Sequence, residues 1–402
     1  MTASFDNPFK PGAGHMPPYL AGREKEKDDF LQLLKQKVIL SNLVLTGLRG
    51  VGKTVLLDTF KPLAIREKWL WVGTDLSEST SVDESATVTR LLTDLSVVTS
   101  NIVVQQKVPQ IGFGLGEVQQ QRALDYHALM ELYRTIPGLA SDKLKAILEI
   151  TWSGLKETGI SGIVFAYDEA QTMSDHAEKE QYPLSLLLDV FQSIQKKGIP
   201  FMLVLVGLPT LYPKLVETRT FTERMFRVMM LERLDDDDCK AAITKPIHTN
   251  SCPVTFSDRS IDLIIETSGG YPYFIQFICR EVYDLFLQMI EAGQQPSVPI
   301  KEIVLKLDKD FFSGRWARAT DRQRELLSVI ATLDNCDKEF AVHEIVAAAK
   351  GMANPFGSSH VNQMLATLIA AGLIYKNRYG KYSFAVPLLG KFILRQTAAE
   401  NL

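Results

Sequence analysis

Two short stretches carry residue types that can do phosphate chemistry. The first is Gly47-Leu48-Arg49-Gly50-Val51-Gly52-Lys53-Thr54, followed by Val55, and it fits G-x-x-x-x-G-K-[ST] in full. Glycines at this spacing let successive backbone N–H groups turn inward around phosphate oxygens. A helix opening near Lys53 adds its positive end. The Lys53 ammonium would reach the β- and γ-phosphates of ATP, and the Thr54 hydroxyl would ligate Mg²⁺. The second stretch is Asp168-Glu169, which closes the apolar run "GIVFAY". Asp168 would hold Mg²⁺ through water, and Glu169 would polarise the water that attacks the γ-phosphate. The alternative for this pair is a solvated acidic strand end.

These residues need elements to position them. Leu43–Thr46 reads as a strand, the glycine turn follows, and Lys53 opens a helix. "WLWVG" is a second strand. "GIVFAY" and "FMLVLVG" are continuous apolar runs, the mark of central parallel strands buried on both faces. Asp168 then falls at a strand's C-terminal end, where open α/β sheets bind ligands. "AGREKEKDDFLQLLKQKVIL" reads as a helix with Phe30, Leu33 and Leu34 on one face. Helices are predicted over 126–135, 141–158 and 183–197. Ser81 to about Gln106 is helix-like, although its "SVVTSNIVVQQ" end also reads as strand. "VPQIGFGLGEV" contains G-x-G-x-G without the dinucleotide spacing or a following helix, so it reads as a glycine-rich hairpin. Alternating strands and helices give a doubly wound parallel α/β domain. From about Asp235 the pattern turns helical.

Length and composition bound the rest. A chain of 402 residues is expected to hold two or three domains. The net charge of −3 argues against a protein coated in nucleic acid. Charge is uneven, however. Residues 315–402 hold 11 Lys/Arg against 7 Asp/Glu, a net of +4, which leaves −7 on the remainder. The four cysteines form no C-x-x-C pair and the six histidines no H-E-x-x-H, so neither zinc nor a disulfide framework is signalled. "LDDDDCKAAITKP" is read as an acidic helix start favoured by the helix dipole rather than a metal cluster. No apolar run is long enough to span a bilayer. The N-terminus lacks an apolar signal core and reads as an extended Pro/Gly arm, either a strap over the body or a partner-binding segment. No membrane partner and a cytoplasmic location are expected.

"LAGREKE", "GLRGVGKT", "YDEAQ", "LVGLPTL", "FTERMFR" and "SGGYPYFIQF" together make the chain resemble the AAA+ ATPases close to the origin-recognition and replication-initiator group. More narrowly it resembles a widespread bacterial branch of ATP-binding proteins that carry a C-terminal winged helix. The resemblance spans about residues 7–395. It implies that Leu20, Ala21, Gly22 and Arg23 lie against the adenine, and that Arg224 is an arginine finger offered to a neighbouring copy in a ring or filament. An always-charged planar fork suits charge spreading over γ-phosphate oxygens. Arg227 is the alternative finger, and a surface ion pair of Arg224 with Glu223 or Asp235 is the alternative role. Two departures stand out. Gly207-Leu208-Pro209 occupies the place of a polar sensor. Pro272 and Tyr273 occupy the place of a second-sensor arginine, with Arg280 a weak substitute; Pro272 could pack on the base, as in STAND signalling ATPases. Both departures suit a slow switch read out as ATP against ADP.

In the tail, "TDRQRELLSVIATL" opens with Thr320 as an N-cap. "EFAVHEIVAAAK" and "SSHVNQMLATLIAAG" are two further helices, and "LIYKNRYGKYSFAV" is two strands, which together make a winged helix-turn-helix. If it binds double-stranded DNA, the third helix offers Ser358, Ser359, His360, Asn362 and Gln363 to base edges, and Lys376, Arg378 and Lys381 meet phosphates. The same fold also serves as a protein-contact module. The division expected is thus an arm (1–20), an AAA+ α/β domain (21–234), a small helical lid (235–314) and a winged helix (315–402).

Overall fold

A computed structural model describes residues 6–100, 103–109, 117–249, 253–377 and 380–400. The chain divides into two compact units, and both are discontinuous in sequence.

One unit comprises residues 24–46 and 56–230 and holds the α/β sheet. Its strands are β1 (Asn42–Gly47), β2 (Trp69–Val72), β5 (Gly162–Tyr167), β6 (Phe201–Gly207) and β7 (Phe226–Leu231), in the spatial order β2-β5-β6-β1-β7. Each of β2, β5, β6 and β1 runs parallel to its neighbour; Leu43 faces Val204, Ala166 faces Val204, and Trp71 faces Val164. Every residue of β1, β5 and β6 is buried, as a parallel sheet covered on both faces requires. The covering helices are α1 (Glu24–Leu34), α2 (Lys53–Arg66), α3 (Glu84–Thr99), α4 (Tyr126–Thr135), α5 (Ala140–Leu155), α6 (Pro183–Lys196), α7 (Leu211–Thr218) and the single turn α8 (Thr222–Met225). Asp83 and Asp125 cap α3 and α4 by accepting the N–H of Ala86 and Ala128. Of the two readings of the "SVVTSNIVVQQ" end the strand holds from Val103, and the helix stops at Thr99. The β-branched pair Val103-Val104 then starts β3 (Val103–Pro109), which lies antiparallel to β4 (Glu117–Ala123). The glycines expected at that hairpin's tip lie outside the described residues.

The second unit gathers the N-terminal arm to Arg23, residues 47–55 and everything from Leu231 onward. It contains α9 (Asp236–Thr249), α10 (Asp258–Ser268), α11 (Pro272–Glu291) and α12 (Ile300–Leu307), then a wide helical turn over Asp308–Phe312 and the single turn α13 (Ser313–Trp316). Next come α14 (Asp321–Ala331), α15 (Val342–Ala348), α16 (Ser358–Ala370), the ribbon β8 (Ile374–Lys376) and β9 (Tyr382–Phe384), and α17 (Leu389–Glu400). Asp235 opens α9 by accepting the N–H of Asp238 at 2.8 Å. Thr320 and Gln323 form a reciprocal capping box at the start of α14. Helix α17 was not foreseen. It lays Phe392 on Phe312, ring centroids 5.2 Å apart, and Arg395 donates from Nε to Asp308 at 2.8 Å.

The arm is a strap within this unit. Phe9 is fully buried, stacked on Phe256 at 6.3 Å and edge-on to Tyr283 at 6.4 Å. Such burial is worth roughly 1.5–3 kcal/mol. The Asn7 amide donates to the Arg280 carbonyl at 2.9 Å and to Asp284 at 2.8 Å, which ties the arm to the middle of α11. Among the described residues no helix is long and apolar enough to cross a membrane.

Candidate nucleotide site

The phosphate loop lies in the helical unit. Gly50 and Gly52 adopt φ of 80° and 91°, a region that residues with a Cβ rarely adopt, and α2 starts at Lys53. Lys53 folds back over the loop, its Nζ donating to the carbonyls of Gly47 and Leu48 at 2.9 Å each. Three neighbours hold the loop's shape. The Tyr273 N–H donates to the Gly50 carbonyl at 3.1 Å, and a Cβ on Gly50 would lie 3.0 Å from that of Tyr273. Arg23 is 5% exposed; its guanidinium donates to the carbonyls of Val51 at 3.1 Å and Glu232 at 2.9 Å. The arm also arrives here, since a Cβ on Gly14 would lie 3.4 Å from the Thr54 methyl. Pro272 starts α11 beside Tyr273, and Leu20 and Ala21 lead into Arg23. Leu20, Arg23 and Pro272 thus share a unit with Gly47–Val55. Side-chain-free backbone, a helix start and an ammonium over the turn suit a polyphosphate.

The acid pair lies in the α/β unit. Asp168 is 4% exposed; its backbone pairs with the chain beyond β2, with Leu76 N–H to Asp168 carbonyl at 2.9 Å and Asp168 N–H to Thr74 carbonyl at 3.2 Å. Its carboxylate accepts the Glu169 N–H at 2.7 Å. Glu169 itself is left-handed, at φ 52° and ψ 30°. Few non-glycine residues adopt this conformation, and those that do cluster at functional sites. Asp58 of α2 faces the same edge: burial, then the charges of Asp168 and Asp75, push its carboxyl above the ordinary range.

Gln171 joins the acid pair to the end of β6. Its amide donates to Glu169, and its Oε1 accepts the Leu208 N–H at 3.1 Å. A Cβ on Gly207 would lie 2.4 Å from that oxygen, so glycine there makes room for the glutamine. Lys214 donates to the Gln171 carbonyl at 2.8 Å, and burial lowers its affinity for its proton. A polar side chain from another element thus lies at 207–208. Sequence reading missed Gln171; its signal was an amide two residues after the acid pair, matched to an unexplained glycine.

Arg224 is exposed and, among the described residues of its unit, forms no ion pair with Glu223. Arg227 instead donates to Asp29 of α1 at 2.7 Å. In the tail, Ser359, His360 and Gln363 stand exposed on α16, as do Ser358 and Asn362, although the Asn362 amide donates to the Ser358 carbonyl at 2.9 Å. Lys376 and Lys381 are exposed on the ribbon, and Lys381 lies 3.9 Å from Glu339. Arg378 and Tyr379 lie outside the described residues.

Comparison with solved structures fits this arrangement. The Walker-type ATPase PABY2304 of Pyrococcus abyssi superposes with a TM-score of 0.58, over 93% of this chain and 96% of its own, at 16% identity. The ADP form of the Aeropyrum pernix ORC2 protein gives 0.55, covering 96% and 98%, also at 16%. The chain has the AAA+ fold of the origin-recognition group. Residues 309–393 match a domain of unknown function, DUF8462. No curated protein matches the sequence.

Proposed function

We propose that this protein binds ATP with Mg²⁺ and hydrolyses it slowly, as a nucleotide-gated switch. The observation that carries the reading is the phosphate loop: open glycine backbone, α2 beginning at Lys53, and the Lys53 ammonium over the turn. The solved ADP form of a protein of the same fold supports it. Mg²⁺, when bound, neutralises phosphate charge; Thr54 and Asp168 offer the hard oxygen ligands that it takes. Glu169 accepts a proton from the attacking water as its oxygen bonds to the γ-phosphorus and the bond from that phosphorus to the β,γ-bridging oxygen breaks, that oxygen leaving with ADP and the rest as phosphate. Leu20 and Pro272 flank the base, and Arg224 is offered to a second copy. The parts acting in this reading are the arm, an α/β ATPase domain, a helical lid and a winged helix, with a cytoplasmic location.

Titration calorimetry of the parent, Lys53→Ala and Glu169→Gln with Mg·ATP tests the proposal. Lys53→Ala should abolish binding. Glu169→Gln should keep it while hydrolysis falls by about 100-fold or more. No heat from the parent protein, or parent-like binding by Lys53→Ala, overturns the reading.

For the winged helix, exposed Ser359, His360 and Gln363 and the exposed ribbon lysines support contact with double-stranded DNA, in a replication, recombination or mobile-element role. A second reading, a STAND-like scaffold switch whose winged helix makes protein contacts, is favoured by one observation. α17 is already engaged, through Phe392 on Phe312 and Arg395 on Asp308.

A further inference from the structure

Arg315 of the helical unit lies near enough to Arg49 and Arg318 to feel their charges. Arg315 lies half-buried on α13, its guanidinium 4.3 Å over the ring of Phe311. It donates from Nη1 to the Phe311 carbonyl at 2.5 Å, which fixes its orientation. Phe311 stands 5.3 Å from Tyr273, ring to ring, and Tyr273 is hydrogen-bonded to Gly50 of the phosphate loop at 3.1 Å. A stack of two aromatic rings thus sets Arg315 beside the loop that carries Arg49. Arg318 follows one turn later and is exposed.

Among the described residues, none of Arg49, Arg315 and Arg318 stands within ion-pair distance of an Asp or Glu. Elsewhere in the chain Arg90, Arg219, Arg227, Arg322, Arg324 and Arg395 each have a carboxylate partner. Burial, and then the charges of Arg49 and Arg318, lower the proton affinity of Arg315. Gathering like charges at a half-buried point costs stability unless an anion relieves it. The guanidinium fork is matched to phosphate oxygens.

We propose that Arg315, with Arg49 and Arg318, forms an anion site for the terminal phosphate of the bound nucleotide and reports its presence to the winged-helix module. This rests on the ATP-binding reading above. Tyr273, where a second-sensor arginine was expected, becomes the platform that holds an arginine from further along the chain. Arg315 and Arg318 lie within the matched stretch 309–393, so the sensing groups belong to the tail module and not to the lid. Two contacts carry a shift of α13 onward. The Trp316 carbonyl accepts the Arg324 Nε of α14 at 3.3 Å, and the Trp316 ring lies 6.0 Å from Phe392 of α17. A ligand that draws Arg315 toward the loop therefore acts on both helices, and coupling follows from its differential affinity.

Calorimetry with Mg·ADP and with the non-hydrolysable analogue Mg·AMPPNP tests this, on the full chain. Arg315→Gln should weaken AMPPNP about tenfold, or ~1.4 kcal/mol, and leave ADP unchanged. Arg318→Gln, exposed and so without effect on the fold, should cost AMPPNP about threefold on the same scale. Arg315→Lys keeps the charge and should recover part of the loss. Hydrogen exchange of α14 and α17 should slow with AMPPNP in the parent and not in Arg315→Gln. Equal loss for both nucleotides, no loss in either glutamine variant, or unchanged exchange protection in Arg315→Gln overturns the proposal. Failure of the parent to bind either nucleotide overturns the ATP-binding reading instead. Duplex DNA displaced by Arg315→Gln with nucleotide affinities intact would assign the three arginines to nucleic-acid phosphate and also overturn the proposal.

Discussion

Glu169 sits in a left-handed backbone conformation with its carboxylate tied to the Gln171 amide. That tie fixes where the carboxylate points, and a general base needs direction as well as basicity. Gln171→Ala should therefore lower turnover about tenfold while ATP affinity holds, since a positioning loss of this kind falls on kcat. Gln171→Glu removes the donor at constant length and should do the same; steady-state and binding measurements on each variant separate the two parameters. Lys53, Thr54, Asp168 and Glu169 stood out in the sequence because their spacing matches a phosphate loop and an acidic strand end. Gln171 and Arg315 did not. Gln171 meets Glu169 through a local turn, but its other partner, Leu208, lies in a different strand-end loop. Arg315 reaches the phosphate loop only through Phe311 and Tyr273, and no local pattern announces a stack of side chains brought together by folding.

At the scale of elements, the C-terminal edge of the sheet gathers Asp58, Asp75 and Asp168, and folding raises the Asp58 carboxyl. A raised carboxyl binds its proton more tightly in the folded chain, so its ionisation costs the folded state stability above that range. Asp58→Asn should thus raise the melting temperature of the ligand-free protein at pH 7. The gain should fade as pH falls toward and below the ordinary carboxylate range of about 4, where the group is protonated in both states. Scanning calorimetry across pH checks this. The arm offers a second measurement. Phe9→Ala opens a cavity among Phe256 and Tyr283 and should cost about 3–5 kcal/mol in urea unfolding. Strands β1, β5 and β6 were readable because parallel central strands are apolar throughout. The arm was readable as extended, as a strap or a partner-binding segment, but its anchor was not, because a single aromatic in a Pro/Gly segment carries no period to show what it fills. Helix α17 was missed for a related reason: its apolar residues pack on α14 and on the turn at 308–312, and its start follows the wing without a distinctive cap.

For the whole molecule, charge separates the readings of the tail. Its net +4 is small, and α16 presents Ser, His, Asn and Gln rather than Arg or Lys. If the module binds duplex DNA, affinity should fall with salt, and Lys376→Ala or Lys381→Ala should each flatten the logarithmic salt slope by about 1. Fluorescence anisotropy of labelled duplex from 50 to 200 mM salt reads this directly; salt-independent absence of binding leaves the protein-contact role.

The strap also ties folding to the order in which the chain is made. Phe9 is made long before the residues that bury it: its pocket needs Phe256 and Tyr283, and Asn7 bonds to a carbonyl 273 positions later. At ordinary elongation rates that interval is on the order of tens of seconds. Throughout it a phenylalanine destined for full burial is exposed on a nascent chain. The α/β unit is made of residues up to 230 and can assemble during this wait, whereas the phosphate loop gains Tyr273 and Arg315 only once those residues have been made. A nascent chain arrested before α11 should therefore be folded in its sheet and unable to retain nucleotide.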